Sequence, residues 1–429
     1  MRSGRLAAAD RHEHHRECSA MILKRGIPFL WLLLFTASCQ PPGPGGAAPE
    51  GALYPEEILS AAERRQEVFE KERRVLEWLR HEGLSAILLS APPNFAWITG
   101  GGSRRLDPAA PFSAPLLIRD DGRKFIFDRG GQAERILAEE MQPLGYEVRR
   151  IPWFDTQRNS EPASATLKSL TEGRPYASDE PRADARLAGR EIAALRVPLT
   201  EWEVRKYRWL GRSCAGAVES VCRRIERWWT DRGVETMLSA DLLRRAIRPL
   251  AVHVEADTAI PGTATRKIAG YALISVSASR WGLVVAMKRS LHFGLLPPEL
   301  AQRQEAAARV AAGLWARTVP GATGGAILAG VVADYAGVGF PDEWRRGAPG
   351  GMIGYVPRDW EATPGSQDQV REFEAFAWNA AIGDFAMEDT ILLDGDRLVI
   401  LTEIPGWPVI ESRVLGRIYR LPAILQIDR

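Results

Sequence analysis

The feature that most constrains the fold is a helix-start signal near the middle of the chain, at Thr200. Thr200 is followed three residues later by Glu203, and this Thr-x-x-Glu pair is a capping box, in which two side chains satisfy backbone N–H groups at the start of a helix. The helix is predicted to run to about Asp231 and to stop at Gly233. A long helix at this point separates two parts of the sequence.

The part before this helix predicts a small α/β domain at 54–197. With 429 residues the chain is too long for one ordinary core, and 196–199, which contain Pro198, form the predicted boundary. Strands and helices alternate ahead of it, an arrangement typical of a small α/β domain. The predicted elements are helices at 54–82 and 133–141, strands at 84–89 and 146–151, a turn at the end of 94–102, a hairpin of 114–118 with 124–127, and a strand closing at 176–180.

The part after the boundary predicts a second domain, 198–429, of strand pairs and helices. Strands are predicted at 271–278, 282–288, 373–379 and 390–393, a hairpin strand at 397–402, a helix at 298–318 and a glycine-rich turn at 350–355. Cys214 and Cys222 are eight residues apart in the predicted helix, about 12 Å between Cα atoms, which is too far for a disulfide. We expect both to be buried as small hydrophobic side chains.

The first 38 residues predict an export signal of the lipoprotein type. A short basic start at Met21, the expected initiator, leads into an apolar run at 27–35 that is far shorter than the roughly 20 residues of a membrane-spanning helix. Small residues then precede Cys39, the expected lipidation site. Residues 39–53 are rich in proline and glycine and predict a flexible tether. The expected location is the periplasmic side of a bacterial membrane, with secretion after plain cleavage as the alternative.

Composition argues against a nucleic-acid partner. The formal net charge is +2, and no run of basic residues forms a patch, so no strong field attracts nucleic acid. Hydrophobic residues make up 45% of the chain and charged residues 26%, which is typical of a globular protein.

Four motifs, in this order, resemble those of the creatinase and Xaa-Pro aminopeptidase superfamily, whose fold is called pita-bread. They are NFAWITG at 94–100, TEWEVRK at 200–206, GGMIGY at 350–355 and MEDTIL at 387–392. The stretches GYVPRDW at 354–360 and AWNA at 377–380 resemble an atypical bacterial branch of it. The resemblance implies an α/β fold, with a creatinase-like amino-terminal domain followed by a pita-bread domain of the catalytic type.

The resemblance also implies a site for two divalent metals, from which this chain departs. Peptidases of the superfamily hold both metals with two Asp, one His and two Glu, because hard or borderline cations need that many oxygen and nitrogen ligands. The matching positions carry Ser275, Ala286, Gly351 (or Ala348, if the loop aligns differently), Asn379 and Glu388. Only Glu388 is retained, and we therefore expect a degenerate site with no metal cofactor and no metal-dependent catalysis.

The positions of the histidines also argue against a metal site, and this observation needs no alignment. The chain has six histidines, and the last of them is His292. The resemblance implies a metal-binding and a carbonyl-polarising histidine beyond that position. No Gly-x-Ser-x-Gly nucleophile motif is present either.

Polar residues remain where the resemblance implies the pocket. The candidates for residual acid–base chemistry are His292, Arg358, Asp359 and Glu388. The candidates for ligand contacts are Ser275, Ser277, Arg289, Gly351, Tyr355, Asn379 and Asp389, with Lys288 as a further polar residue nearby. The alternative is that these residues are hydrogen-bonded remnants of the fold.

The expected function is binding of a peptide or small amide ligand by a pita-bread lipoprotein that lacks dimetal aminopeptidase activity. One alternative is an active hydrolase with a rearranged site, either an aminopeptidase or a creatinase-like amidinohydrolase. Another is a dimeric scaffold that binds a partner protein. The resemblance also implies a homodimer, and the sequence leaves open whether any catalysis remains.

Overall fold

A computed structural model describes residues 58–102, 114–128, 131–141, 144–151, 164–395 and 397–428. They lie in one compact unit, 51–429. The predicted export signal, Cys39 and the predicted tether lie outside the described residues. None of the helices in these ranges combines the length and the apolar composition that crossing a bilayer requires.

The amino-terminal part of the described chain contains a six-stranded sheet with the strand order β4-β3-β2-β1-β5-β6. Its strands are β1 (Ala86–Leu89), β2 (Leu116–Arg119), β3 (Lys124–Asp128), β4 (Glu147–Arg150), β5 (Ala177–Ser178) and β6 (Arg186–Leu187). The helices are α1 (Ala61–Glu82), α2 (Pro92–Ile98), α3 (Gln132–Ile136) with a π-helical turn at Leu137–Met141, α4 (Ser164–Leu170) and α5 (Gly189–Leu195). β1 pairs antiparallel with β2 and parallel with β5, and all four of its residues are buried, as its continuous apolar run requires. The predicted mixed α/β fold is confirmed.

The helix that the Thr200 capping box starts is shorter than predicted. α6 (Glu201–Cys222) begins where expected, with the Thr200 hydroxyl accepting from the backbone N–H of Glu203. It ends at Cys222, nine residues before Asp231, and Trp228, whose φ of 72° a right-handed helix excludes, lies in the segment between α6 and the next helix. Thr230 then caps a new helix, α7 (Asp231–Arg244). The prediction of one helix to Asp231 is therefore wrong.

The two cysteines of α6 have the predicted environment. Cys214 and Cys222 are fully buried and unpaired, on the face of α6 that contributes to the main apolar core. Burial raises the pKa of both thiols to about 12, so neither is a thiolate near neutral pH. Their prediction as buried small hydrophobic side chains is confirmed.

The carboxy-terminal part contains a nine-stranded sheet with the path β11-β10-β12-β13-β9-β8-β7, in which β14 also pairs with β13 and β17 with β9. Its strands are β7 (Arg248–Ala259), β8 (Arg266–Arg280), β9 (Leu283–Phe293), β10 (Gly350–Ile353), β11 (Trp360–Glu361), β12 (Glu374–Ile382), β13 (Phe385–Asp394), β14 (Arg397–Ile400) and β17 (Leu425–Ile427). The remaining elements are α8 (Pro298–Arg317), α9 (Gly324–Gly337), a 3-10 turn at Glu343–Arg345, and a hairpin of β15 (Val409–Val414) with β16 (Arg417–Pro422). The six-stranded sheet lies before the predicted boundary at 196–199 and the nine-stranded sheet after it, while the boundary itself stays a prediction.

One face of the nine-stranded sheet is covered by helices. α6 packs against β8 and β9, and α8 packs against β12 and β13. On β8 the apolar side chains of Ile274, Val276 and Ala278 are buried in this core, whereas the alternate residues Ser275 and Ser277 are only half-buried. Because side chains alternate along a strand, the two serines lie on the opposite face, which we call the polar face.

The glycine-rich segment at 350–355 was expected to be a turn, and that prediction is wrong for its first four residues. Gly350–Ile353 form β10, paired with both β11 and β12. A Cβ atom on Gly351 would lie 2.0 Å from the carbonyl oxygen of Trp360, and one on Gly350, where φ is 107°, would lie 2.0 Å from that of Ala377. The glycines therefore allow a close approach of three strands, and the chain bends only from Gly354 onward.

Candidate functional site

Four polar residues lie in one line across the polar face of the nine-stranded sheet. Ser275 on β8 is paired with Lys288 on β9, Lys288 with Glu388 on β13, and Glu388 with Asn379 on β12. Residues directly opposite each other on antiparallel strands point to the same face. We call these four residues the cross-strand row. With neighbouring strands about 4.8 Å apart, the row is roughly 15 Å long, the scale of a binding site for a small ligand.

Lys288 is the centre of this row. Its ammonium donates to the side-chain oxygen of Asn379 at 2.8 Å and lies 3.6 Å from the carboxylate of Glu388. The Lys288 side chain is 21% exposed and that of Glu388 only 8%. From the sequence, Lys288 was one polar residue among several, because its importance follows from the pairing of β9 with β13. The available signal was the polar pair Lys288 and Arg289 directly after the apolar run 283–287.

Arg358 reaches the same carboxylate from the loop that follows β10. Its Nη2 donates to Oε1 of Glu388 at 3.3 Å, and its Nη1 donates to the carbonyl oxygen of Pro357 at 2.8 Å. Glu361 lies farther away, 3.9 Å from Nε, and is 45% exposed. Glu388 is thus flanked by two cations, one on each carboxylate oxygen.

The next residue on each of the two strands forms a second ion pair on the opposite face. Arg289 and Asp389 are in contact at 2.6 Å, both side chains are 2% exposed, and Thr402 donates to the same carboxylate oxygen at 2.7 Å. Burial raises the pKa of Asp389, while the charge and hydrogen bond of Arg289 oppose that shift. The expectation that these two residues contact a ligand is corrected, because strand alternation turns them away from the polar face.

Asp359 is directed away from the cross-strand row. Its carboxylate pairs with the guanidinium of Arg196, and the same guanidinium donates to the side-chain oxygen of Asn94. Asn94 in turn donates to Asp179 at 2.8 Å. Burial raises the pKa of Asp359, and Arg196 opposes the shift. These contacts tie the loop after β10 to the amino-terminal domain, so the structure assigns Asp359 a contact that stabilises the loop.

Tyr355 also points away, into a buried ionic cluster that sequence reasoning missed. Its hydroxyl donates to Glu203 at 2.5 Å and accepts from Lys71 at 3.2 Å. Lys71 pairs with both Glu67 and Glu203, and Lys206 pairs with Glu67. Burial raises the pKa of Tyr355 well above its usual value, and burial lowers the pKa of Lys206 to about 8. This cluster joins α1, α6 and the loop after β10.

The remaining candidates lie at the margin of the cross-strand row. Ser277 is paired with Ala286, whose backbone N–H and carbonyl are both hydrogen-bonded to the Thr390 hydroxyl. His292 lies on the same face of β9 as Lys288 but four residues away, roughly 13 Å along the strand. Its Nδ1 is 3.3 Å from the carbonyl oxygen of Gly294.

The candidates therefore divide into four groups, one of which points away from the cross-strand row and comprises Arg289, Asp389, Asp359 and Tyr355. Ser275, Asn379, Glu388 and Arg358 lie around Lys288 on the polar face. Gly351 has no room for a side chain, and Ser277 and His292 flank the row. Within the described ranges, no group of three or more His, Cys, Asp or Glu side chains is arranged to hold a metal ion.

Comparisons with known proteins give a clear result for the fold only. No family model and no curated protein sequence matches the chain. Among solved structures, dipeptidase PepE from Mycobacterium ulcerans is similar with a TM-score of 0.65 and 17% identity, over 80% of this chain and 97% of that one. The X-Pro aminopeptidase from Thermotoga maritima gives 0.62 and 14%, over 83% and 99%. The N-terminal domain of FACT complex subunit SPT16 from chickpea gives 0.57 and 13%, over 80% and 97%.

These neighbours share the architecture described above across most of the chain. Their sequence identities to it are 17%, 14% and 13%, which support a shared fold and nothing more specific. The order of elements, the strand pairs and the amino-terminal α/β domain agree with the fold that the four motifs imply. The chain therefore has the pita-bread fold of the dipeptidases and Xaa-Pro aminopeptidases.

Proposed function

We propose that this chain binds a peptide or a small amide ligand on the polar face of its nine-stranded sheet, and that it does so without a dimetal centre. The observation that carries the proposal is the position of Lys288. Its ammonium lies between Asn379 and Glu388, which are the two positions where the resemblance implies metal-binding glutamates. The ammonium of a lysine thus contacts the residues at two positions where the resemblance implies metal ligands.

The residues at the five implied metal positions do not fit two divalent metals. Ala286 has no donor atom in its side chain. Gly351 has none either, and the carbonyl oxygen of Trp360 fills the space that an imidazole there would need. A dication beside Glu388 would also meet the positive charges of Lys288 and Arg358. One carboxylate and neutral oxygens do not balance two dications and two nearby cations in a partly buried site.

The same residues are suited to holding an amide. A peptide group offers one N–H donor and one carbonyl acceptor. Lys288 supplies donors, the Ser275 hydroxyl supplies both a donor and an acceptor, and the amide of Asn379 supplies a donor while its oxygen is held by Lys288. Groups of both kinds along a row of roughly 15 Å match a ligand of two or three residues.

A second candidate is an amide hydrolase with a rearranged site. It is favoured by the solved neighbours, two of which carry the names dipeptidase and X-Pro aminopeptidase. Such an enzyme needs a group that activates water or attacks the carbonyl. His292 is the only histidine that the structure describes on β9, and its contact with Gly294 gives it no orienting carboxylate.

Elemental analysis combined with a peptide assay separates the two candidates. The purified mature chain is tested for bound metal and for cleavage of Xaa-Pro peptides, with and without added manganese or cobalt. We expect well under one metal per chain and no cleavage under either condition. Two metals per chain, with chelator-sensitive cleavage that is lost in Glu388→Gln but kept in the exposed control Glu411→Gln, would overturn the proposal.

We further propose that the chain is held at the periplasmic side of a bacterial membrane through a lipid on Cys39, with release into the medium as the alternative.

A homodimer is a separate proposal. The chickpea neighbour is named as a domain of a complex subunit. This occurrence of the fold in an assembly favours the scaffold alternative. Sedimentation of the mature chain tests the dimer directly.

A further inference from the structure

We propose that Lys288 and Arg358 together recognise a carboxylate, so that the ligand of this site is a peptide or acylated amino acid with a free carboxyl end. This rests on the proposed function and narrows it to an anionic ligand class. The inference follows from how the two cations share a single buried carboxylate, Glu388, and from which groups reach the solvent.

Hydrogen-bonding capacity is left over on both cations. A guanidinium has five N–H groups, and only two of those on Arg358 have an acceptor among the described residues, the carbonyl of Pro357 and the carboxylate of Glu388. An ammonium has three N–H groups, and that of Lys288 donates to Asn379 and faces Glu388 at the long distance of 3.6 Å. Each cation thus has donors available for a further acceptor.

The side chains that carry these donors are more exposed than the carboxylate they share. The side chains of Lys288 and Arg358 are 21% and 29% exposed, whereas that of Glu388 is only 8% exposed. A ligand on the polar face therefore has more access to the two cations than to the carboxylate. The carboxylate beneath them holds both in place, and its limited exposure keeps it from competing for the same approach.

The local charge favours an anion. Two cations share Glu388, so these three side chains together carry an excess of one positive charge. Glu361 is the other carboxylate in contact with Arg358, at 3.9 Å, but it is 45% exposed, so water and salt screen its effect. A carboxylate accepts two parallel hydrogen bonds from a guanidinium, which makes Arg358 suited to this group beyond its charge alone.

The ligand class follows from the neighbours of the two cations. Ser275 and Asn379 lie on either side of Lys288 in the cross-strand row, and both offer hydrogen-bonding groups for an amide. An amide next to a terminal carboxylate is the chemistry of a peptide carboxyl end. The two cations thus match the terminal carboxylate of such a ligand, and Ser275 and Asn379 match its adjacent amide.

The test compares one peptide in two forms. Binding of Ala-Pro-Ala as the free acid and as its carboxyl-terminal amide is measured by calorimetry with the mature chain, and sodium acetate is measured alone. We expect the free acid to bind at least about tenfold more tightly than the amide, since the amide lacks the anionic group. Arg358→Met and Lys288→Met should each remove most of that preference, and Lys288→Arg should keep it. Arg420→Met, an exposed arginine on β16, is the matched control.

Each outcome has a defined meaning, once circular dichroism shows that the variants are folded. Equal binding of the acid and the amide would overturn the carboxylate inference and leave the proposed peptide-binding function intact. Acetate that binds as tightly as the peptide acid would support anion recognition and count against a peptide ligand. No binding of any of the three probes at millimolar concentration would overturn both. A preference that survives in Arg358→Met and Lys288→Met would place the carboxylate elsewhere and refute this assignment.

Discussion

The ammonium of Lys288 lies 2.8 Å from the side-chain oxygen of Asn379, and it faces Glu388 on the strand between them. Directly behind this contact, Arg289 and Asp389 form an ion pair on the other face of the same two strands. Consecutive residues on β9 and on β13 therefore face opposite sides of the sheet. The outer pair lies on the polar face, while the inner pair is buried on the face that packs against the helices.

The inner ion pair is expected to matter for stability. Asp389→Asn leaves the 2%-exposed guanidinium of Arg289 without its carboxylate, and uncompensated buried charges cost about 3–5 kcal/mol. Chemical denaturation with fluorescence detection measures the loss. The control is Asp384→Asn, whose pair with Arg303 is mostly exposed and should cost less than about 1 kcal/mol. Equal losses in the two variants would contradict the role of the inner pair.

Gly351 is expected to tolerate no side chain. In Gly351→Ala the new Cβ would lie 2.0 Å from the carbonyl oxygen of Trp360, which forces β10 and β11 apart, so we expect a loss of at least about 2 kcal/mol in unfolding free energy. Gly347→Ala is the control, because nothing lies within 4 Å of a Cβ there. Its effect should stay within about 0.5 kcal/mol. A Gly351→Ala variant as stable as wild type would show that the strands are less closely packed.

Stability is expected to fall between about pH 4.5 and pH 7 because of Glu374. Burial raises the pKa of this carboxyl from 4.5 to about 7, against the backbone N–H and charge of Arg371. The folded state then holds a proton that the unfolded state releases, so the stabilising contribution is fully present below pH 4.5 and is lost as pH rises through 7. Glu374→Gln should remove this dependence, which amounts to about 3 kcal/mol across the window.

Denaturation at four pH values between 4.5 and 7.5 tests this prediction. The difference in unfolding free energy between wild type and Glu374→Gln should change with pH, and the same difference for Glu411→Gln, which is 62% exposed, should be much flatter. Parallel curves for wild type and Glu374→Gln would show that the carboxyl ionises normally in the folded state.

Cys39 is expected to be acylated, although it lies outside the described residues. The basic start at Met21, the apolar run at 27–35 and the small residues before Cys39 motivate this prediction. Cys39→Ala should lose incorporation of labelled fatty acid and move out of the membrane fraction. Cys18→Ala, ahead of the expected start, is the control and should behave like wild type. Equal membrane retention of Cys39→Ala and wild type would rule out the lipid anchor.

Local structure was largely predictable because it depends on residues close together in the sequence. The capping box at Thr200 starts α6, and the hairpin across Asp394 pairs β13 with β14 as expected. The end of α6 at Cys222 was not predictable, since no glycine or proline follows it before Thr230. The strand formed by Gly350–Ile353 was missed for a related reason, because glycine indicates a turn unless close packing of neighbouring strands is known.

The candidate site shows which features could not be predicted from the sequence alone. Sequence by itself placed Ser275 and Asn379 in predicted strands and Glu388 just before one, and the resemblance implies a dimetal ligand set that Ser275 and Asn379 do not complete. Only the tertiary structure decided that Lys288 lies beside Glu388, one hundred residues away, and that Arg289 and Asp389 face the opposite side. The physical reason is that strand register and sheet order are set by long-range packing, whereas sequence patterns report the preference of each segment on its own.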